Sequence, residues 1–287
     1  LDPELPAAQV ALARLYRTTG RYADSIAELE RVLADHPKPD DAHRELAATY
    51  QEVGDLAEAE RCLRTAAALG EEDWFNWNAL GAFLQRNGRY VEAREAFDRA
   101  AGVVSGGITI PMENLAAMSI LEGRFDEALE RYARIPRPIR YAGIASNIGT
   151  AYYFSEAEDK WEQAEEYYRL AVKLAPNTAV MHRNLADLYL ERGRKDQALE
   201  HYRAALGIID EALRAEPRSH PLRLRRALFA AKAEDCGLAT GLAETLEVEL
   251  PESASNVHDL AMVYALCDRK PQALAAIRES IRLGIPK

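Results

Sequence analysis

A short glycine-centred phrase recurs along the chain at a nearly constant spacing. Five glycines, each followed by a charged residue and then by a large side chain, lie 34, 34, 35 and 70 residues apart, and the last interval is twice 35. They are Gly20, Gly54, Gly88, Gly123 and Gly193. A fixed period of this length indicates a repeat protein, in which each repeat is one small structural unit. About eight such units fit into the 287 residues.

Three further copies of the phrase are degenerate. Asp159-Lys160-Trp161 stands midway between Gly123 and Gly193, where a copy is missing, and Asp268-Arg269-Lys270 stands near the end of the chain. A weaker copy lies near Cys236 and Gly237. Together with the five glycines, these segments complete the set of eight.

Apolar residues on both sides of each phrase are spaced as in a helix. Leu80 and Leu84 precede Gly88, and Ala93 and Phe97 follow it, each pair four residues apart and therefore on one helix face. The glycine suits a tight turn between the two segments, since it reaches positive φ at little steric cost. Each unit is predicted to be two amphipathic helices joined by such a turn.

The third unit resembles the tetratricopeptide repeat (TPR) most fully. The matching residues are Trp77, Leu80, Gly81, Tyr90, Ala93, Phe97 and Ala100. The resemblance extends over essentially the whole chain and implies an all-α, right-handed superhelical solenoid of about eight TPR helix-turn-helix units. It also implies that the first helices line a concave surface and the second helices form the outside.

We predict a single solenoid over residues 1–287, with irregular junctions at 102–110 and 135–140. The predicted units are 6–37, 40–71, 74–105, 109–138, 142–176, 179–217, 220–251 and 254–287. Pro136 and Pro138 should end the fourth unit's second helix about one turn early. The segment 155–160 lengthens the turn of unit five. In unit six, the seven extra residues 208–214 predict a longer second helix. Its added turns would cover the neighbouring repeat or, alternatively, offer a secondary contact surface.

Composition and sequence motifs argue against nucleic-acid binding, membrane insertion, metal binding and catalysis. The net charge of −10 disfavours phosphate-driven binding of nucleic acid, and the sequence shows no apolar stretch long enough for membrane insertion. Three cysteines without metal-ligand spacing predict neither a disulfide framework nor a zinc site. The six histidines are scattered and form no ligand motif. We therefore predict a non-enzymatic chain with no cofactor and no metal.

The concave groove is the remaining candidate site. Aligning the first helices on their turns places Asn114, Asn147 and Asn184 at one equivalent position, with Asn78 one residue earlier in its unit. An amide both donates and accepts, so such a row can bind the backbone of an extended peptide, or it can serve local hydrogen bonding only. The predicted groove residues are Asn78, Asn114, Asn147, Asn184, Arg44, Arg183, Tyr153 and Phe154.

The leading hypothesis is a protein–protein interaction scaffold that binds a peptide or partner segment in this groove. The alternative is the regulatory or sensory region of a larger signalling protein, such as a kinase, a cyclase or a transcription regulator, because the order of repeats resembles bacterial TPR arrays attached to such domains. A helical-repeat RNA binder is a third, remote hypothesis, since the chain lacks a basic stripe. We expect a cytoplasmic protein.

Both ends of the sequence suggest a fragment or an assembled subunit. Leu1-Asp2-Pro3 has the form that closes a repeat, and Pro3 lies 34 residues before Pro37. Near the other end, Leu274, Ile277 and Ile281 give the final helix an apolar face. We expect further sequence, an effector domain or a second copy of the chain to cover this face, unless the stems of neighbouring arginines shield it.

Overall fold

The computed structural model describes residues 6–36, 39–104, 107–136, 138–249 and 253–284, and every regular element in them is an α-helix. The helices are α1 Pro6–Thr18, α2 Tyr22–Asp35, α3 Asp40–Val53, α4 Leu56–Leu69, α5 Trp74–Arg86, α6 Tyr90–Val103, α7 Ile110–Leu121, α8 Phe125–Ala133, α9 Ala142–Phe154, α10 Lys160–Leu174, α11 Ala179–Glu191, α12 Lys195–Ala215, α13 His220–Lys232, α14 Cys236–Glu249, α15 Ala254–Leu266 and α16 Lys270–Arg282. The predicted boundaries at Pro3, Pro37, Ser105, Pro251 and Lys287 lie outside the described residues.

The helices form two compact units, residues 1–135 and residues 136–287. In each unit, consecutive helices pack as antiparallel pairs, and each pair packs against the next pair along the chain. The first helices of successive pairs also contact each other, as α1 does with α3 and α9 with α11. This arrangement of stacked helix pairs confirms the predicted all-α repeat fold.

Left-handed backbone at the predicted turns confirms the role of the five glycines. Their φ angles lie between 70° and 83°, a region in which a side chain is strained. Repeats seven and eight use Glu234 (φ 66°) and Asp268 (φ 55°) at this position. The turn of repeat seven therefore lies just before the predicted Cys236-Gly237, and Gly237 belongs to helix α14.

Substituting a turn glycine is expected to cost more stability than substituting a helical one. Gly88→Ala places a Cβ at φ 75° and should lower the free energy of unfolding by roughly 1–2 kcal/mol. Gly102→Ala is the matched control, since Gly102 lies in α6 with open space around it and alanine favours helix. Urea denaturation of both variants tests this expectation, and equal stability would contradict it.

Close packing in the helix pairs of repeats three and five explains a second glycine of the repeat pattern. A Cβ at Gly81 would lie 2.7 Å from ring carbons of Phe97, and a Cβ at Gly149 would lie 2.6 Å from the ring of Tyr168. These distances are shorter than van der Waals contact. The glycine on the first helix therefore lets an aromatic ring of the second helix approach its backbone.

Two predicted departures from the period are confirmed. Helix α8 has 9 residues, whereas α2, α4 and α6 have 14 each, so the second helix of repeat four ends early. Helix α12 has 21 residues. Its added turns bury Ile209 and partly bury Leu213 beside Phe229 of α13, so the extension covers the neighbouring repeat as predicted.

The expectation that the cysteines form no disulfide is wrong. Cys236, the first residue of α14, is bonded to Cys267, the residue after α15, with a Cα–Cα distance of 5.4 Å. The two cysteines are 31 residues apart, close to one repeat period. Antiparallel packing of α14 on α15 brings the start of one helix beside the end of the next, which a search for local spacing motifs does not detect.

Candidate binding groove

Four of the predicted groove residues lie in one pocket of the second unit. Tyr153 and Phe154 come from the end of α9, and Arg183 and Asn184 come from the middle of α11. The pocket has a volume of about 500 Å³. Its other lining residues are Thr150, Tyr168, Asp187, Leu190 and Glu191. We call this pocket the α9–α11 groove.

Aromatic rings form one wall of the groove. The Tyr153 ring packs edge-on against Phe154, with ring centroids 4.8 Å apart, and against Trp161 of α10, with centroids 5.4 Å apart. These contacts restrict Tyr153, while Phe154 remains 54% exposed. The wall therefore offers apolar surface to a ligand at little cost in side-chain entropy.

Tyr168 contributes a buried hydroxyl beside the groove. Its Oη donates to Oγ1 of Thr150 at 3.1 Å. Burial raises the pKa of Tyr168 to about 12. The phenol is therefore neutral at physiological pH and acts as a hydrogen-bonding group rather than as a base.

Arg183 and Asn184 form the polar wall. Nη2 of Arg183 donates to Oδ1 of Asn184 at 2.9 Å, and Nδ2 of Asn184 donates to Oγ of Ser146 on α9 at 2.9 Å. Asn184 thus links the two helices and positions the guanidinium. The Arg183 side chain is 41% exposed, and its nearest carboxylate, that of Asp187, is 4.0 Å away. Most of its charge remains available to a ligand.

Lys232, a residue of the neighbouring repeat, neutralises the charge of Asp187. Its Oδ1 accepts hydrogen bonds from Nζ of Lys232 on α13 and from the hydroxyl of Tyr202 on α12. Burial, followed by the hydrogen bond to Asp187, raises the pKa of Tyr202. Sequence reasoning missed this network, because Asp187 and Lys232 are 45 residues apart and no motif relates them.

In the first unit, the amides of Asn78 and Asn114 are paired. Nδ2 of Asn114 on α7 donates to Oδ1 of Asn78 on α5 at 2.7 Å. Each amide therefore keeps part of its hydrogen-bonding capacity for a ligand. Asn147 lies on α9 in the second unit, partly buried. Binding of a peptide by the predicted asparagine row stays a prediction.

Arg44 takes part in a network within the first unit. Its Nη1 lies 2.8 Å from Oδ2 of Asp40 and 3.6 Å from Oδ2 of Asp73. It also bonds to Asn76, whose buried Nδ2 donates to Asp40 at 2.7 Å and to the Gly70 carbonyl at 3.1 Å. Two carboxylates balance the charge of Arg44, so the network joins helices α3 and α5 and leaves little of that charge for a partner.

A second pocket, of about 400 Å³, lies between α13 and α15. It is lined by His220, Pro221, Leu224, Arg225, Leu228, Asn256 and Asp259. Burial raises the pKa of Asp259. On the same helix, α13, Arg223 is paired with Glu249 and Arg226 with Asp210. Arg225 is exposed and lines the pocket. No sequence pattern predicts this pocket.

The final helix exposes the apolar face that the sequence predicts. Leu274 is 55% exposed, and Ile277 and Ile281 are each 39% exposed. Self-association through this face, or its cover by another domain, stays a prediction. In the part of the chain that the structure describes, no helix is long and apolar enough to cross a membrane.

The tetratricopeptide repeat family matches two stretches of the sequence, residues 18–82 and residues 141–211. The chain is a tetratricopeptide repeat protein. One match lies in each compact unit, and the second includes α9 and α11 and therefore the α9–α11 groove. No curated protein matches this TPR chain in sequence.

Solved structures share the fold at low sequence identity. For a chain of the APC/C hetero-tetramer Cut9-Hcn1, the match covers 92% of this chain and 50% of that chain, with 16% identity and a TM-score of 0.59. For the human IFIT1 dimer with PPP-AAAA, the coverages are 99% and 74%, the identity 18% and the TM-score 0.54. For the C-terminal part of a TPR repeat-containing protein from Cytophaga hutchinsonii, the match covers 93% of this chain and 99% of that chain, with 13% identity and a TM-score of 0.53. The TPR chain thus spans half the length of the first of these structures.

Proposed function

We propose that this TPR protein is a non-enzymatic scaffold that binds an extended segment of another protein in the α9–α11 groove. TPR arrays are in general protein-interaction scaffolds, since their stacked helices create extended concave surfaces. The observation that carries the proposal is the convergence of Tyr153, Phe154, Arg183 and Asn184 in one pocket. An apolar wall with a few placed polar groups is the usual composition of a binding site.

The two walls suggest how a segment would bind. A large apolar side chain would pack on Phe154 and Tyr153, and a carboxylate would accept hydrogen bonds from Arg183, which Asn184 holds in position. The neutralisation of Asp187 by Lys232 favours this orientation, because it removes a repelling charge. Glu191, at the same groove, should reject segments with several acidic residues.

A peptide-display selection tests the proposal. The chain is used to select peptides, and the affinity of a selected peptide is measured by fluorescence polarisation. Loss of the Phe154 ring and of the Arg183 hydrogen bonds should weaken binding by at least about tenfold in the double variant F154A/R183A. Val248→Ala is the matched control, because Val248 lies on α14 and is 87% exposed. Equal affinity of the folded double variant and wild type would contradict the proposal.

Nucleic acid is the alternative ligand that the test should include. The IFIT1 structure is that of a dimer with PPP-AAAA. In this chain the net charge is −10, and the α9–α11 groove contains one arginine, with the carboxylate of Glu191 at the same groove. We therefore expect single-stranded RNA to bind far more weakly than the selected peptide. Salt-sensitive RNA binding of comparable strength would favour a nucleic-acid ligand instead.

A further inference from the structure

Two histidines of repeat six lie against each other, outside the α9–α11 groove. His182 is on α11 and His201 is on α12, and their Nδ1 atoms are 3.0 Å apart. Nε2 of His182 lies 2.9 Å from the carbonyl oxygen of Pro176 in the loop before α11. The ring of Tyr189 packs beside His201, with centroids 5.7 Å apart. Both histidines are partly buried and remain partly accessible to solvent.

Hydrogen bonding determines the tautomer of each neutral ring. The Pro176 carbonyl can only accept, so Nε2 of His182 carries the proton and Nδ1 of His182 has a lone pair. Nδ1 of His201 must then donate to that lone pair. In the neutral pair, one proton lies between Nδ1 of His182 and Nδ1 of His201. Each of these two nitrogen atoms can act as a metal ligand once it is deprotonated.

Repeat three shows which part of this arrangement the fold requires. Trp77 lies eleven residues before Gly88, and His182 lies eleven residues before Gly193. Nε1 of Trp77 donates to the Glu71 carbonyl at 2.9 Å, which is the equivalent of the bond from His182 to Pro176. The N–H of either ring can thus hold the loop. His182 adds a second nitrogen, and the position of His201 is occupied by Ala96 in repeat three, so the imidazole pair is an addition to the repeat pattern.

We propose that His182 and His201 form a two-imidazole binding site for a divalent transition metal ion, coordinated by both Nδ1 atoms. Metal–nitrogen bonds of about 2.0–2.1 Å place adjacent donors about 3.0–3.4 Å apart, close to the distance between these two atoms. A ligating histidine commonly donates its other N–H to a backbone carbonyl, as His182 does to Pro176. Imidazole suits copper, nickel and zinc, and copper binds most tightly in this series.

Coordination requires one proton to move and releases none from the neutral pair. The proton of His201 leaves Nδ1, and Nε2 of the same ring takes one from water, so both rings stay neutral. Among the described residues, no third histidine, cysteine or carboxylate completes a cluster. Water or a ligand from a partner would fill the remaining coordination positions.

Titration with copper sulfate tests the site. The untagged chain is titrated calorimetrically, and the copper complex is examined by electron paramagnetic resonance for nitrogen ligands. We expect one ion per chain at this site, with two imidazole nitrogens. In the His182→Trp variant the loop bond is kept and the ligand is lost. In His201→Gln a side-chain amide can still donate to His182. Each variant should bind copper at least about tenfold more weakly.

Two controls keep the test decisive. His258→Gln removes a histidine of α15 and should leave the affinity unchanged. Circular dichroism and thermal unfolding without metal show whether each variant is folded, and either variant alone suffices for the comparison. Copper affinity and nitrogen coordination that are the same in wild type and in a folded variant would overturn the proposal. The outcome is independent of peptide binding in the α9–α11 groove.

Discussion

Phe97→Ala is expected to lower the free energy of unfolding by about 3–5 kcal/mol. The ring is 0% exposed and belongs to the core of the first unit. It lies directly on the backbone of Gly81, which has no side chain that could move into the space left by the ring. The cavity should therefore stay open and add its cost to the lost transfer free energy. Urea denaturation followed by circular dichroism measures the effect.

Phe75→Ala is the matched control for this substitution. Phe75 is 48% exposed on α5 in the same unit, and its ring lies 5.1 Å from the guanidinium carbon of Arg44. Loss of this exposed ring and its cation–π contact should cost about 1 kcal/mol or less. Similar losses in the two variants would mean that the contact between Phe97 and Gly81 contributes no more than a surface aromatic.

The fold could be predicted because each repeat carries the same information. A turn glycine and the spacing of apolar residues on both sides of it recur in most units. In repeats three and five a helical glycine also faces an aromatic ring. Errors arise where one of these signals is missing. In repeat seven no glycine marks the turn, and Glu234 adopts the left-handed conformation, so the predicted turn was displaced toward Gly237.

The groove could be predicted in part. Helical periodicity indicates which side of α9 and α11 Tyr153 and Arg183 occupy, and the pocket contains both. Periodicity does not indicate what each side chain is bonded to. Arg44 is engaged by Asp40 and Asp73, whereas Arg183 keeps most of its charge free, and both look alike in sequence. The difference depends on side chains from neighbouring helices.

Side-chain pairs that join different helices were the main features that could not be predicted from the sequence. His182 and His201 are 19 residues apart, and Cys236 and Cys267 are 31 residues apart. Neither interval matches a local ligand or disulfide motif. Both pairs form because a helix pair folds back on itself or packs against the next. Aligning residues by their distance from the turn of each repeat is the signal that could have found them.

Breaking the bond between Cys236 and Cys267 is expected to destabilise the second unit by about 3–4 kcal/mol, because the cross-link closes a loop and so restricts the unfolded chain. The variant C236S/C267S removes the bond at two partly exposed positions, so it adds little packing loss. Its urea transition should move to lower concentration, and reduction of the wild type should produce the same shift.

Thiol counting provides the internal control for this prediction. Cys62 is buried in the first unit, and burial raises the pKa of its thiol to about 11, so it should react only after unfolding. In urea, the wild type should show one reactive thiol before reduction and three after it. Three reactive thiols before reduction, together with equal stability of wild type and C236S/C267S, would show that the bond does not form in the isolated protein.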